Sequence, residues 1–236
     1  MASENVQPAG AAAGAASYGN VERVGFGLLM IGAPILMLGA AFIHPPHSIE
    51  SGPEYYHAAH DHTTAFYVAH SLFFLAAVLF VPAVVGLARL VHRRHPKAAF
   101  WGVVLTLMGF VGYGAMDGMD YMTWVAGNPA SGLDPKEMQQ FIDVTLNTTA
   151  IMAPVMLIFL LLPIGLSVLA VGLYRAGILP IWLAVLMPVG MAGVAGALAY
   201  PPLLILSALA LLASFGLVGV RLLRAPNRTL SEARPV

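Results

Sequence analysis

The chain has 236 residues, of which 59% are hydrophobic and only 9% are charged, and its 11 basic and 11 acidic residues give a net charge of zero. Because a soluble domain has roughly 25% charged residues, this composition excludes a soluble fold, and the charge balance gives no sign of a nucleic-acid partner. Cysteine is absent, which excludes disulfides, thiolate metal sites and cysteine nucleophiles. We therefore expect an all-α integral membrane protein with the lipid bilayer as its solvent.

The chain divides into two tails and one membrane domain. Residues 1–20 are rich in Ala, Gly and Ser and lack the basic segment of a secretory signal, which predicts a disordered N-terminal tail. The apolar run after Arg23 is too long for a signal sequence and is predicted to stay as an uncleaved first span. Residues 21–225 are predicted to form the transmembrane domain, and residues 226–236 a cytoplasmic tail.

Apolar runs long enough to span a bilayer fall at residues 24–43, 64–90, 98–125, 146–174, 178–199 and 202–224. Between the last two runs, Pro201 and Pro202 favour a turn at the membrane surface over one continuous helix. The sequence therefore predicts a bundle of six transmembrane helices joined by short loops.

The basic residues that flank these runs fall on one side of the membrane: Arg23, Arg89, Arg93, Arg94, Lys97, Arg175, Arg221, Arg224 and Arg228. The other side has Lys136 as its one basic residue and carries most of the acidic ones. Since Lys and Arg near span ends are retained in the cytoplasm, both termini are predicted to be cytoplasmic, in a multi-pass protein of the cell membrane.

Two spans have faces rich in glycine. Gly114 and Gly118 form a small-xxx-small pair on the third span, and Gly190, Gly193 and Gly196 form a similar face on the fifth. Such faces let helix backbones approach closely, so they predict tight packing and permit an oligomer.

Ionisable residues gather at the predicted outer ends of the spans. His44 ends the first span, His70 lies about two turns inside the second, and Asp117 and Asp120 lie near the outer end of the third. The outer loop between the first two spans adds His62 and further histidines. An ionisable residue inside a membrane is by default a functional hypothesis.

Asp117 and Asp120 share one helix face, which Tyr113 and Trp124 extend. An unpaired carboxylate in hydrocarbon costs about 2.5 kcal/mol or more, so these groups should be protonated, paired or metal-bound. We expect Asp117 and His70 to meet, because they lie at similar depth on consecutive spans. A purely structural His–Asp pair and aspartates solvated by interfacial water are the two alternatives.

The functional hypothesis is a site formed by His44, His70, Asp117 and Asp120, with His62 as a further candidate. Imidazole and carboxylate ligands suit zinc, copper or non-haem iron. A single haem held between His44 and His70 is the other cofactor that this histidine cluster allows. No metal-binding motif of recognisable spacing is present.

Several neighbouring residues have simpler interpretations. Histidines of the outer loop are typical of a solvated surface: His47, His57 and His60. Methionines beside the aspartates are typical packing residues: Met116, Met119 and Met122.

Three functions remain open from the sequence. The first is a metal- or haem-dependent enzyme or redox protein that acts on a lipid-like or small apolar substrate. The second is a proton- or cation-coupled transporter, although the inner halves of the spans are almost free of polar side chains. The third is a non-catalytic accessory or sensor subunit.

Overall fold

A computed structural model describes residues 9–46, 51–196 and 200–225, and all regular structure in these ranges is helical. The helices are α1 (Ala9–Ile43), α2 (Gly52–Asp61), α3 (Thr63–His92), α4 (Pro96–Gly127), α5 (Pro135–Asn147), α6 (Thr149–Phe159), α7 (Leu161–Arg175), α8 (Ile181–Gly196) and α9 (Pro201–Arg224), with a short 3-10 turn at Pro129–Ser131.

Five helical segments in the described ranges are long and apolar enough to cross a membrane: Gly19–Ile43 of α1, α3, α4, the combined Thr149–Arg175 of α6 and α7, and α9. The apolar part of α8, Ile181–Val194, is shorter and lies where the fifth of six spans was predicted. The all-α membrane bundle is thus confirmed, with five full-length spans and one shorter apolar helix.

The predicted tails are described only in part. Helix α1 already begins at Ala9, within the segment for which a disordered tail was predicted. Residues 1–8 and 226–236, which complete the two tails, and His47 of the outer loop lie outside the described residues.

The apolar helices pack in a closed ring. Helix α1 packs against α3, α3 against α4, α4 against α7, α7 against α8, α8 against α9, and α9 returns to α1. Phe80 of α3 and Phe215 of α9 meet edge to face inside the ring, with their centroids 5.0 Å apart, and both side chains are fully buried. This geometry lets the rings interact favourably beyond simple burial.

One end of the ring, which we call the arginine end, is defined by Arg23 and Arg94. Arg23 donates hydrogen bonds to the carbonyls of Leu222 at 2.9 Å and Ala225 at 2.7 Å, and Arg94 donates to the carbonyl of Ala176 at 3.0 Å. The last carbonyls of a helix have no partner within the helix, so these guanidinium groups cap the ends of α9 and α7. The opposite end, which we call the histidine end, contains His44 and His70.

The connections at the histidine end are longer than the predicted short loops because they contain α2 and α5. At the start of α2, the Ser51 hydroxyl accepts a hydrogen bond from the Glu54 amide at 3.4 Å. At the start of α5, the Asp134 carboxylate accepts hydrogen bonds from the amides of Lys136 and Glu137. Each helix therefore begins at a residue that satisfies otherwise unpaired amides. Helix α2 packs against both α4 and α5.

The fourth span is interrupted at Leu160, between α6 and α7. Pro163 has no amide hydrogen, so it cannot donate the helical hydrogen bond to the carbonyl of Phe159. Both α6 and α7 pack against α4.

Close approach between α4 and α7 depends on glycines other than the predicted pair. A Cβ added to Gly109 would collide with the backbone of Leu162, and one added to Gly165 would collide with the backbone of α4. A Cβ on Gly114 or Gly118 would meet no described atom within 4 Å. These two glycines face outward, and their use in an oligomer stays a prediction.

The predicted glycine face of α8 is confirmed at two of its three positions. A Cβ on Gly190 would lie 2.9 Å from the carbonyl oxygen of Ser207, and one on Gly193 would collide with the Ser207 hydroxyl. Gly196 has no described atom near its added Cβ. The face therefore packs against α9.

Candidate functional site

The imidazole of His70 lies at the centre of the site and makes a different contact with each ring nitrogen. Nδ1 lies 2.8 Å from the carbonyl oxygen of Phe66, one helical turn earlier in α3. Because a carbonyl can only accept, this contact assigns a hydrogen to Nδ1. Nε2 lies 3.3 Å from Oδ2 of Asp120 on α4. A hydrogen bond between Nε2 and Oδ2 requires one further proton, in addition to that on Nδ1. The imidazole of His70 and the carboxylate of Asp120 share this proton.

Tyr55 of α2 holds the other oxygen of the same carboxylate. Its hydroxyl donates a hydrogen bond to Oδ1 of Asp120, and its ring packs on Phe66 with 5.6 Å between the centroids. Helix α2 lies outside the spans, and burial, followed by the charge of Asp120, raises the pKa of the Tyr55 hydroxyl well above its usual value. The hydroxyl therefore stays protonated and remains a donor to Asp120.

His44, at the end of α1, completes this group. Its ring centroid lies 5.1 Å from that of His70 and 5.7 Å from that of Phe73, and its side chain is buried. The structure thus brings together His44, His70 and Asp120 of the predicted site.

Asp117 is buried about one turn deeper in α4 than Asp120. His70 contacts Asp120, although a contact with Asp117 was expected. The expected contact between His70 and Asp117 is therefore wrong, because residues three apart on a helix differ in height by about 4.5 Å and only Asp120 is level with Nε2. Asp117 is 3% exposed, so protein atoms cover almost all of its surface. Its Oδ2 atom accepts no hydrogen bond from any residue that the structure describes.

Beside Asp117 lies a small cavity of about 30 Å³, which His70, Tyr113 and Asp120 also line. A single water molecule needs roughly 10–15 Å³ of such volume. The small cavity therefore has room for water next to a buried carboxylate oxygen.

A larger cavity, which we call the main cavity, lies on the other side of His70 and has a volume of about 190 Å³. Its polar lining residues are His44, Tyr55, His70, Asp120, Thr123 and Thr145. Five methionines form much of the remaining wall: Met116, Met119, Met122, Met152 and Met156. The methionines of α4 therefore line a cavity, although a packing role was predicted for them.

Other outer-loop histidines lie apart from the main cavity. His62 is exposed where α2 meets α3 and lines neither cavity. His57 is exposed, and His60 bonds the neighbouring Asp61 at 2.9 Å. This hydrogen bond lowers the pKa of the Asp61 carboxyl, which is typical of a solvated surface pair.

The cofactor predictions gain no support from these distances. In the described part of the chain, His, Asp and Glu side chains form no group of three or more that could hold a metal ion. A haem bound by both His44 and His70 would have to lie between two rings that are in direct contact. Zinc, copper, iron and haem stay predictions.

Two residues of the site were missed in the sequence. Tyr55 belongs to α2 and Phe141 to α5, and the predicted short loops left no place for them. The signals that could have revealed these helices are Ser51 with Glu54 and Asp134 with Glu137, both of which match the capping-box pattern or its aspartate variant. Nothing in the sequence indicated that Tyr55 would reach Asp120.

The bundle contains helices long and apolar enough to span a bilayer, which defines a polytopic membrane protein. A His–Asp pair lies at one end of this bundle. Residues 26–224 match the family model described as "Domain of unknown function (DUF4386)". This match covers most of the chain, so the protein belongs to that family. Comparison with curated proteins and with solved structures gives no match. Function must therefore be inferred from the site.

Proposed function

We propose that the protein is a membrane enzyme that binds a lipid-like or small apolar molecule in the main cavity and exchanges a proton with it through His70 and Asp120. The observation that carries this proposal is the 3.3 Å contact between Nε2 of His70 and Oδ2 of Asp120, with Nδ1 already bonded to Phe66. A proton shared by two groups at the edge of a cavity is available for general acid–base catalysis.

The surroundings of the pair support this role. The carbonyl of Phe66 fixes which nitrogen of His70 faces Asp120, and the hydroxyl of Tyr55 fixes the carboxylate. Catalytic histidines are commonly oriented in this way by a second group. Both His70 and Tyr55 are at least 95% buried, so water competes little for these bonds.

The walls of the main cavity favour an apolar substrate. Four of its six polar lining residues contact one another in series, since His44 touches His70, and both His70 and Tyr55 contact Asp120. Such a group of convergent polar side chains in an otherwise apolar cavity is the usual arrangement of a small-molecule site. Methionine side chains are flexible and polarisable, so they accommodate hydrocarbon of varied shape. The polar group of the substrate would lie against His70 and its apolar part against the methionines.

We further propose that the histidine end faces the outside of the cell membrane and that both termini are cytoplasmic. The support is the collection of arginines at the opposite end, of which Arg23 and Arg94 also cap helices there.

Transport has less support from the contacts. Between the histidine end and the arginine end, the buried polar side chains of the described residues are Thr106, Ser207 and Ser214. Each hydroxyl donates to a carbonyl of its own helix, so these side chains form no polar path across the bundle. Transporter and accessory roles stay predictions.

The test is a search for turnover in bilayer nanodiscs that contain lipids extracted from the host membrane, with mass spectrometry of the lipids over time. We expect wild-type protein to consume at least one lipid-like compound, and Asp120→Asn to lose about a hundredfold or more in rate. Asp143→Asn is the matched control, because Asp143 bonds Asn147 and lines neither cavity. Equal rates for wild type and Asp120→Asn would contradict the proposal.

A further inference from the structure

An apolar groove, which we call the side groove, lies between α4 and α5 beside the main cavity. It has a volume of about 370 Å³, and its walls include Met122 and Val125 of α4, Leu133, and Met138 and Phe141 of α5. Tyr121 also borders it, but its hydroxyl donates to Ser71 of α3 at 3.1 Å. The side groove therefore offers hydrocarbon contacts and very little hydrogen bonding.

The side groove adjoins the main cavity. Met122 and Phe141 line both, one from each wall of the side groove. Met122 and Phe141 thus belong to the boundary between the two spaces, and both have side chains that can rotate.

The side groove opens to the outer surface of the bundle. Met122 is 55% exposed and Val125 48% exposed, and on a membrane-spanning helix such apolar side chains face lipid. Their neighbour Thr123 points the other way and is buried against the main cavity. Helix α4 therefore presents one face to the bilayer and the adjacent face to the site.

The second wall, α5, has the pattern of a helix that lies in the membrane interface. Its apolar residues Met138, Phe141, Ile142 and Leu146 recur at helical spacing, whereas Glu137 and the other polar residues of its first turn are exposed. Such a helix lies along the boundary between headgroups and hydrocarbon. The side groove then opens at the level of the upper part of the lipid chains.

We propose that the side groove and the main cavity form one site for a single-chain amphiphile that enters from the bilayer. Its hydrocarbon chain passes between Met122 and Phe141 into the side groove, and its polar group reaches His70 and Asp120. This inference rests on the proposed function for the chemistry at the polar group, but the binding that it describes does not need turnover.

The charges at the polar end identify the class of amphiphile as an uncharged long-chain alcohol. The Asp120 carboxyl lines the main cavity beside His70, so an anionic headgroup would compete with it for the proton that it shares with His70. A hydroxyl can both donate to Asp120 and accept from the shared proton.

The test uses two photoreactive probes in nanodiscs, a long-chain alcohol with a diazirine next to the hydroxyl and the same alcohol with a diazirine near the terminal methyl. We expect the first probe to label residues of the main cavity such as Met116 and Met119, and the second to label Val125 and Leu133. Excess unlabelled alcohol should reduce both labels at least tenfold. Equal labelling of the lipid-facing Phe74 of α3, without competition, would overturn the proposal.

Blocking the passage provides the second arm. In Met122→Trp and Phe141→Trp, labelling of the main cavity by the first probe should fall at least tenfold. Met108→Trp and Val144→Trp are the controls. Both are exposed apolar side chains, at 48% and 56% exposure, and neither lines the side groove. Unchanged labelling in the blocked variants would overturn lateral entry.

The outcomes separate this proposal from the proposed enzyme activity. Competed labelling in the expected order, with no lipid consumed by wild type, would support the binding site and contradict catalysis. Turnover at the wild-type rate in both blocked variants would support catalysis and contradict entry through the side groove.

Discussion

At His70, two neighbours determine the state of one side chain. The Phe66 carbonyl requires a hydrogen on Nδ1, and Asp120 then faces the nitrogen whose protonation can change. Buried polar groups without such partners would be costly in a bilayer, so each bond stabilises the fold as well as orienting the imidazole. The same contacts therefore make a structural and a chemical contribution.

The first prediction concerns the energetic coupling of His70 with each aspartate. Combining His70→Leu with Asp120→Asn should give a coupling energy of about 1 kcal/mol or more, because the pair is in direct contact. The same cycle with Asp117→Asn should give a smaller coupling energy, because Asp117 and His70 share the small cavity without the direct contact that Asp120 makes. The measurement is the free energy of unfolding in mixed micelles. A larger coupling for Asp117 would show that the pairing in the structure is wrong.

Much of the site could be predicted at the residue scale, from depth alone. Counting along each span placed His44, His70, Asp117 and Asp120 at one level, and the structure gathers them around two adjoining cavities. The choice between the aspartates could not be made, because both lie on the same face of α4 and only the height of Nε2 distinguishes them. The contact of Tyr55 with Asp120 could not be predicted, because the position of Tyr55 depends on how α2 packs against α4.

At the scale of the helices, backbone contact between α4 and α7 depends on one glycine from each helix: Gly109 lies against Leu162, and Gly165 lies against Thr106. Gly109 and Gly165 allow the two helices to approach until backbone atoms are in contact. In a membrane, where lipid is as apolar as the helices, such close packing is a main source of association.

The second prediction compares two glycines of α4. Gly109→Ala should lower the free energy of unfolding by about 1–3 kcal/mol, because the added methyl overlaps the Leu162 backbone. Gly114→Ala should leave it unchanged or raise it by roughly 0.5 kcal/mol, because its Cβ meets nothing and alanine favours a helix. Thermal unfolding in detergent provides the measurement. Similar losses in both variants would exclude the α4–α7 packing described.

Hydropathy located the spans because each apolar run is long enough to be unmistakable in a bilayer. It could not reveal α2 or α5, which are short and contain many polar residues, and which become stable by packing on each other and on α4. Pro163 lies inside the fourth apolar run, yet the sequence could not show whether it bends this span or interrupts it. Neighbouring helices decide that outcome.

For the molecule as a whole, the two ends differ in chemistry. Arg23 and Arg94 cap helices at one end, whereas His44, His70 and two short helices form the other. An asymmetry of basic residues sets the orientation of a membrane protein. The absence of cysteine makes this orientation easy to measure, since one introduced thiol is the only one present.

The third prediction is that the histidine end is extracellular. His57→Cys, in the exposed part of α2, should react with a membrane-impermeant maleimide on intact cells. His92→Cys, exposed at the end of α3, should react only after the membrane is permeabilised. The reverse pattern would mean that the arginine end faces outward and would contradict the proposed location of the site.

Closure of the ring by α1 and α9 has a consequence for biosynthesis. Helices α1 and α9 lie next to each other in the folded protein. Of the spans described, α9 is the last to be synthesised. Until it is made, Arg23 lacks the α9 carbonyls that it caps. The nascent bundle is therefore an open arc, with the inner faces of α1 and α8 accessible to lipid or to a membrane chaperone. Assembly ends when α9 inserts between α1 and α8 and closes the ring. A circular permutation that joins residue 225 to residue 23 would move this closing step to another pair of helices.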